Sequence, residues 1–235
     1  MSYLNVASGG VVASLPGEAR AGFIRRTYAH VAGALLLLAI VEAFLLKAGA
    51  GPILLSFLGA GTMNYLIYLG LFIGASVVAD NWAHSEKSRE MQYLGLGMYV
   101  LVQAIILVPA MHLASLYAPN AIYDAAIATA ALVTGLSYVC FTTRKDFSFL
   151  GPILSIGFFV AIGLCIAGVV FGFDMGVGFA AVIVLMAGGS VLYSTSNILH
   201  HYQEHQHVGA ALGLFASVAL MFRFMLQIFM SFGDD

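Results

Sequence analysis

Residues 149–171 read FLGPILSIGFFVAIGLCIAGVVF, a continuous apolar run without a charged side chain. A helix needs about 20 mostly apolar residues to cross the hydrocarbon core of a bilayer, and this run is long enough. Its hydrophobic residues follow one another rather than alternating with polar ones, which excludes a strand of a membrane β-barrel. The run therefore predicts a transmembrane helix.

Six further stretches have the same character and make the chain an all-α integral membrane protein. Of its 235 residues, 61% are hydrophobic and 9% are charged, whereas a soluble domain carries roughly 25% charged residues. A chain this short cannot hide so much apolar surface in its own core, so that surface must face the lipid bilayer. The segment 51–61 is too short to span, and we expect it at the interface or as an extension of the second span. The seven predicted spans cover residues 26–46, 63–79, 91–113, 124–142, 149–171, 176–199 and 209–232.

Basic residues between these spans orient the chain in the membrane. Lys47 is the sole basic residue on one side, and the positive-inside bias therefore predicts a cytoplasmic N-terminus and an external C-terminus. Residues 1–22 lack the basic start and apolar core of a cleaved signal peptide, so we expect a flexible cytoplasmic tail there and a membrane domain over 23–235. The basic residues on the predicted cytoplasmic side are Arg20, Arg25, Arg26, Lys87, Arg89, Arg144 and Lys145.

Charge and motifs exclude several functional classes. The formal net charge is −2, so there is no basic excess that would indicate nucleic-acid binding. The sequence has no glycine-rich phosphate loop, no Gly-x-Ser-x-Gly elbow and no His-Glu-x-x-His motif. We therefore predict no enzyme active site, no cofactor and no metal centre.

Two charged residues fall deep inside predicted spans, away from their ends. Glu42 lies in the first span and Arg223 in the last, at similar calculated depths from the cytoplasmic side. Ionisable groups within the bilayer are costly, and each is a candidate functional residue. The pair has three readings: a structural ion pair that fixes helix order, a gate in a pathway, or two residues that never meet.

Four histidines cluster between the last two predicted spans. His201 and His205 are four residues apart, a spacing that can hold zinc on one helix face. The segment lacks a further anchored ligand, so a pH-responsive patch or a plain interfacial loop are the other readings. The four residues are His200, His201, His205 and His207.

Three motifs resemble the Bax inhibitor family of seven-span membrane proteins, and its bacterial YccA-like branch in particular. They are FIRRTYAHVAG at 23–33, TTRKDFSFLG at 142–151, which contains Arg144, Lys145 and Asp146, and YSTSNILH at 193–200. The resemblance implies a helix bundle in which the last helix is central and the other six surround it.

The resemblance also implies two functions. Some members of the family are pH-sensitive calcium leak channels controlled by an aspartate pair on the last two helices, but the matching positions here are Ser194 and Ser217. Two hydroxyls neither titrate as a carboxylate pair nor offer charge to a cation, which argues against that mechanism. The YccA-like branch also implies a location in the bacterial inner membrane and a role as substrate and modulator of the AAA protease FtsH with its HflK/HflC partners. We therefore favour a protease-interacting membrane protein over a leak channel for calcium or protons.

Overall fold

The computed structural model describes residues 11–14, 16–84, 88–173 and 175–232. Within these residues, seven helices are long and apolar enough to cross a membrane, which confirms the predicted seven-span fold. Lys87, Asp234, Asp235 and residues 1–10 of the predicted tail lie outside the described residues. The helices are α1 (Gly17–Lys47), α2 (Ala50–Gly59), α3 (Thr62–Ala83), α4 (Arg89–Tyr117), α5 (Pro119–Thr143), α6 (Leu150–Phe171), α7 (Gly176–His200) and α8 (His207–Phe232).

Several helix boundaries differ from the sequence-based expectation. Helix α1 begins at Gly17, directly after Pro16, so residues 17–22 are helical where a flexible tail was predicted. Helix α5 begins at Pro119, whose fixed φ suits the first helical turn, and Asp124 therefore lies inside the helix rather than at its start. The short segment forms a separate helix, α2, because Gly49 and Gly61 interrupt the chain on either side with φ angles of 80° and 148°.

Helix α8 is the centre of the bundle, as the family resemblance implied. It packs against α1, α3, α4, α5 and α7, and its buried residues belong to all three hydrophobic clusters of the core. Helices α3 and α6 are the least buried spans. Helix α8 therefore lies inside the bundle, where most of the other spans surround it, while α3 and α6 form much of the outer wall.

One end of the bundle collects most of the positive charge, and we call it the basic end. Helices α1, α4, α6 and α8 begin there, and α3, α5 and α7 end there. Lys47 lies at the opposite end, where α1 ends. The basic residues described at the basic end are Arg20, Arg25, Arg26, Arg89, Arg144 and Lys145.

Candidate functional site

A polar contact inside the bundle joins α7 to α8 through two serine hydroxyls. The Oγ atoms of Ser190 and Ser217 lie 2.9 Å apart, and the Ser217 hydroxyl donates to the carbonyl of Gly213 at 2.9 Å. A carbonyl can only accept and a hydroxyl carries one proton, so the Ser190 hydroxyl must donate to Ser217. This arrangement holds the two helices together without a charge.

Ser194 lies one turn along α7 from Ser190, nearer the basic end. It is buried and faces Gly213, because a Cβ built on that glycine would lie 3.8 Å from the Ser194 Oγ. Ser194 and Ser217, the two positions that match the family's aspartate pair, therefore do not hydrogen-bond each other, because Ser217 pairs with Ser190. Helices α7 and α8 run antiparallel, so Ser194 faces Gly213, while Ser190, four residues earlier on α7, faces Ser217, four residues later on α8.

A second group of hydroxyls lies between α1, α5 and α7. The Tyr28 hydroxyl is close to those of Ser137 and Thr195, although no hydrogen bond of good geometry joins them. Thr129, about two turns earlier on α5 than Ser137, is also buried without a partner for its hydroxyl. We call Tyr28, Ser137 and Thr195 the hydroxyl cluster. Buried polar groups usually have partners, so an unpaired set of this kind marks a place where polar ligands or water would be accommodated.

Glu42 and Arg223 do not form the direct ion pair that the sequence suggested. Glu42 is 3% exposed, and neither of its carboxylate oxygens has a partner among the described residues. The Arg223 Nη1 donates to the carbonyl of Ile106 in α4 at 3.0 Å. Glu42 and Arg223 both lie within electrostatic range of the Tyr68 hydroxyl, so they are near each other but not in contact.

A proline of α4 lies beside these contacts. Pro109 has no N–H, so the carbonyl four residues earlier, that of Ile105, loses its donor within the helix. A freed carbonyl inside a membrane needs another donor, and the Tyr68 hydroxyl supplies one at 2.9 Å. Arg223 donates to the carbonyl of the next residue, Ile106, so α4 and not Glu42 holds the guanidinium.

At the basic end, Asp146 ties the loop between α5 and α6 to the end of α7. Its Oδ1 accepts from the Ser148 backbone N–H at 2.9 Å and from the Ser196 hydroxyl at 3.3 Å. Its Oδ2 lies 3.1 Å from the His201 Nε2. The Ser148 hydrogen bond, followed by the His201 contact, lowers the pKa of Asp146 to about 2. Asp146 therefore stays ionised and holds the loop, while Arg144 and Lys145 beside it are exposed.

The four histidines are distributed over different elements. His200 ends α7 and His207 begins α8, while His205 lies in a 3-10 turn and His201 in the connection between them. His201 and His205 therefore do not share a helix face. His207 is buried, with its ring 5.1 Å from that of His30. Among the described residues, no group of three or more His, Cys, Asp or Glu side chains could hold a metal ion.

The chain before α1 is docked on the basic end. Val12 is fully buried, and its N–H donates to the Tyr202 carbonyl at 2.8 Å. Two arginines of α1 add contacts: Arg20 donates to the Leu199 carbonyl at 3.3 Å, and Arg26 pairs with Glu204 at 3.0 Å. Residues 11–14 are thereby held against the ends of α1 and α7.

Several residues of these sites were not predicted from the sequence, and Ser190, Pro109 and Val12 illustrate why. Ser190 lies four residues before Ser194, and helical spacing puts both on one face of α7, so the pattern could have revealed it. Pro109 within an apolar span is a visible signal for freed carbonyls. No local signal identifies Val12, because its burial depends on where the ends of α1 and α7 lie.

Comparisons with known proteins agree with the resemblance. The family described as inhibitor of apoptosis-promoting Bax1 matches residues 20–234. Uncharacterized protein PA2604 of Pseudomonas aeruginosa is 37% identical over 109 residues, which cover 46% of this chain and 49% of that protein. The Escherichia coli K12 protein named modulator of FtsH protease YccA is 33% identical over 101 residues, which cover 40% of this chain and 46% of that protein.

A plant relative covers more of the chain at lower identity. Protein LIFEGUARD 3 of Arabidopsis thaliana is 25% identical over 216 residues, which cover 90% of this chain and 85% of that protein. The matches to PA2604 and YccA, by contrast, span about half the length of those two relatives. No solved structure matches the chain.

Proposed function

The chain belongs to the Bax inhibitor family of membrane proteins, and on that premise we propose that it is a non-enzymatic partner of an FtsH-type AAA protease in a bacterial inner membrane. It would modulate the protease, be degraded by it, or both, with HflK/HflC-type proteins in the same assembly. The observation that carries the proposal is the likeness to an E. coli protein named as a modulator of FtsH. Because that likeness covers less than half of each chain, the role needs a direct test.

The uncharged contact inside the bundle supports this choice over an ion gate. Ser190 and Ser217 join α7 to α8 by a hydrogen bond between hydroxyls, and neither titrates in the physiological range. An interaction protein needs no intramembrane carboxylate pair. Its working surface lies outside the bilayer, where an AAA protease has its ATPase domain.

We place that working surface at the basic end, facing the cytoplasm. The positive-inside bias favours this orientation, and the segment that contains Val12 is docked there. A reporter fused after residue 235 should then be active only outside the cytoplasm. Activity of the reporter inside the cytoplasm would reverse the orientation and contradict the proposal.

The docked segment offers a way to test engagement by the protease. Val12 is fully buried and its neighbour Val11 is 42% exposed, so Val12→Asp should undock the segment, whereas Val11→Asp should leave it in place. If the protease engages the chain from its N-terminus, undocking should expose residues 11–14 to it and speed degradation.

The experiment is degradation in proteoliposomes that contain the purified protease, ATP and either variant. We expect the wild-type chain to bind the protease and to slow degradation of a second membrane substrate. The Val12→Asp variant should be degraded faster than the wild type, and Val11→Asp should be degraded at the wild-type rate. The thermal stability of both variants in detergent is measured in parallel to separate undocking from unfolding. Absence of both binding and any effect on the second substrate would contradict the proposal.

The hydroxyl cluster favours a second candidate function, a leak for protons or calcium. Tyr28, Ser137 and Thr195 place unpaired hydroxyls inside the bundle, and such groups can line a polar path. The test compares ion flux through liposomes containing the wild-type chain with flux through Ser194→Asp/Ser217→Asp. A large, pH-gated wild-type flux would favour the leak, whereas flux gained only by the double variant would support the non-channel role.

A further inference from the structure

A cavity of about 180 Å³ lies within the membrane-spanning part of the bundle. Helices α3, α4, α6, α7 and α8 supply most of its wall, and the wall is largely aliphatic and aromatic. Arg223 is the one charged residue among those that line the cavity, and Tyr68 and Gln103 add polar atoms beside it. The cavity is therefore an apolar chamber with a single positive charge in its wall.

The cavity reaches the outer wall of the bundle at α6, which lies beside α3. Phe158 of α6 lines it and is nevertheless 52% exposed, which places this side chain at its edge. Its neighbour Phe159 does not line the cavity and is 73% exposed, so it faces the lipid. Because α3 and α6 are also the least buried spans, a molecule in the bilayer can approach the cavity sideways.

The guanidinium of Arg223 has unused hydrogen-bonding capacity. It has five N–H donors, and one hydrogen bond, to the Ile106 carbonyl, is described. No carboxylate among the described residues lies within 4 Å of it, and Glu42 is not part of the cavity wall. An arginine at membrane depth is costly unless its charge is matched. A planar carboxylate fits two of its donors at once.

We propose that this cavity binds the carboxylate end of a long-chain fatty acid that enters from the bilayer between α3 and α6. The carboxylate would pair with Arg223, the first methylenes would fill the apolar chamber, and the rest of the chain would extend into the lipid. A cavity of roughly 150 Å³ accepts one benzene molecule, so 180 Å³ suits a carboxyl group with a few carbons. The glycerol backbone and two acyl chains of a phospholipid are too large for it. The proposal is independent of the protease role.

Tryptophan fluorescence can report this binding directly. The chain has one tryptophan, so Trp82→Phe removes the background and Phe158→Trp places a reporter at the edge of the cavity. Phe159→Trp in the same background is the matched control, because it changes the adjacent phenylalanine that faces the lipid. Both proteins are reconstituted in phosphatidylcholine liposomes and titrated with dibromostearic acid, whose bromines quench tryptophan.

We expect saturable quenching of the Phe158→Trp reporter at a low mole fraction of fatty acid. The Phe159→Trp reporter should be quenched only in proportion to the fatty acid dissolved in the bilayer. Equal, unsaturable quenching of both reporters would overturn the proposal. Brominated phosphatidic acid should give no saturable phase, and an equally tight phase with it would contradict the single-chain ligand.

The charge requirement is tested on the ligand and on the protein. The methyl ester of dibromostearic acid should bind about tenfold more weakly or worse, because its uncharged ester group cannot form a bidentate ion pair with the guanidinium. Arg223→Met should produce a similar loss, and Arg223→Lys should restore part of the affinity. Since the ester experiment uses an unchanged Arg223, it remains decisive if the Arg223→Met protein fails to fold. Equal affinity for acid and ester would show that the cavity binds acyl chains without recognising the carboxylate.

Discussion

The contact between α3 and α4 depends on a glycine that allows two backbones to touch. A Cβ added to Gly95 in α4 would lie 2.7 Å from the Ala79 carbonyl oxygen and 2.9 Å from the Ala83 Cα, and it would also meet the Ala83 nitrogen. Ordinary contacts of this kind begin at 3.4 Å. These are backbone atoms of a helix and cannot rotate away, and the Ala83 nitrogen is the nearest of them, so Gly95→Ala should push α3 outward by about 1 Å.

The size of the effect follows from two opposing terms. Forcing an extra methyl group into a packed contact costs about 1–3 kcal/mol, and rigid backbone neighbours place this case at the upper end. Alanine regains about 1 kcal/mol over glycine as a helix former. The expected net loss in the free energy of unfolding is about 2 kcal/mol, or a fall of about 4–8 °C in Tm for a chain of this length.

The assay is thermal unfolding in a mild detergent, with Gly97→Ala as the matched control. Gly97 lies on the same helix, and a Cβ there would meet nothing within 4 Å. The control should be as stable as the wild type or slightly more stable. If Gly95→Ala unfolded at the same temperature as Gly97→Ala, the close packing of α3 against α4 would be refuted. The position of Tyr68, which α3 carries, would then be open to revision.

Three further predictions concern the polar contacts. The pKa of Asp146 is lowered from 3.8 to about 2, so its contribution to stability is present above about pH 4 and is lost as pH falls toward 2. The stability of Asp146→Asn, measured against pH, should not show this loss between pH 4 and pH 2. Tyr68→Phe leaves a freed α4 carbonyl without its donor and should lower the free energy of unfolding by about 1–3 kcal/mol, whereas Tyr65→Phe, which removes no described hydrogen bond, should change it little. Ser190→Ala and Ser217→Ala should each cost about 1 kcal/mol, and strict additivity of the double variant would contradict their hydrogen bond.

The number of spans followed directly from the sequence. An apolar run of sufficient length can lower its free energy in a bilayer only as a helix, because no water is present there to satisfy the backbone. This argument needs no knowledge of neighbouring helices, and all seven predicted spans correspond to helices in the structure. The boundaries were less accurate because helix ends lie where lipid and water meet, and there Pro16 and Pro119 set the first turns.

The central position of α8 came from family resemblance rather than from its composition. Its residues are as apolar as those of other spans, and apolar composition alone does not distinguish a helix that faces lipid from one that faces protein. Helix α6, for example, includes the run that first indicated a membrane protein, yet it is among the least buried spans. Packing partners decide this difference.

The sequence by itself determined the membrane class, the seven spans and the presence of two costly charges inside them. The tertiary structure alone decided the partners of those charges. Arg223 donates to the Ile106 carbonyl rather than to Glu42 because the packing of α8 against α4 brings the guanidinium to that carbonyl. Ser217 likewise pairs with Ser190 because of the register between α7 and α8. Hydrophobic length is a property of one segment, whereas a hydrogen bond or a cavity depends on how several segments meet in space.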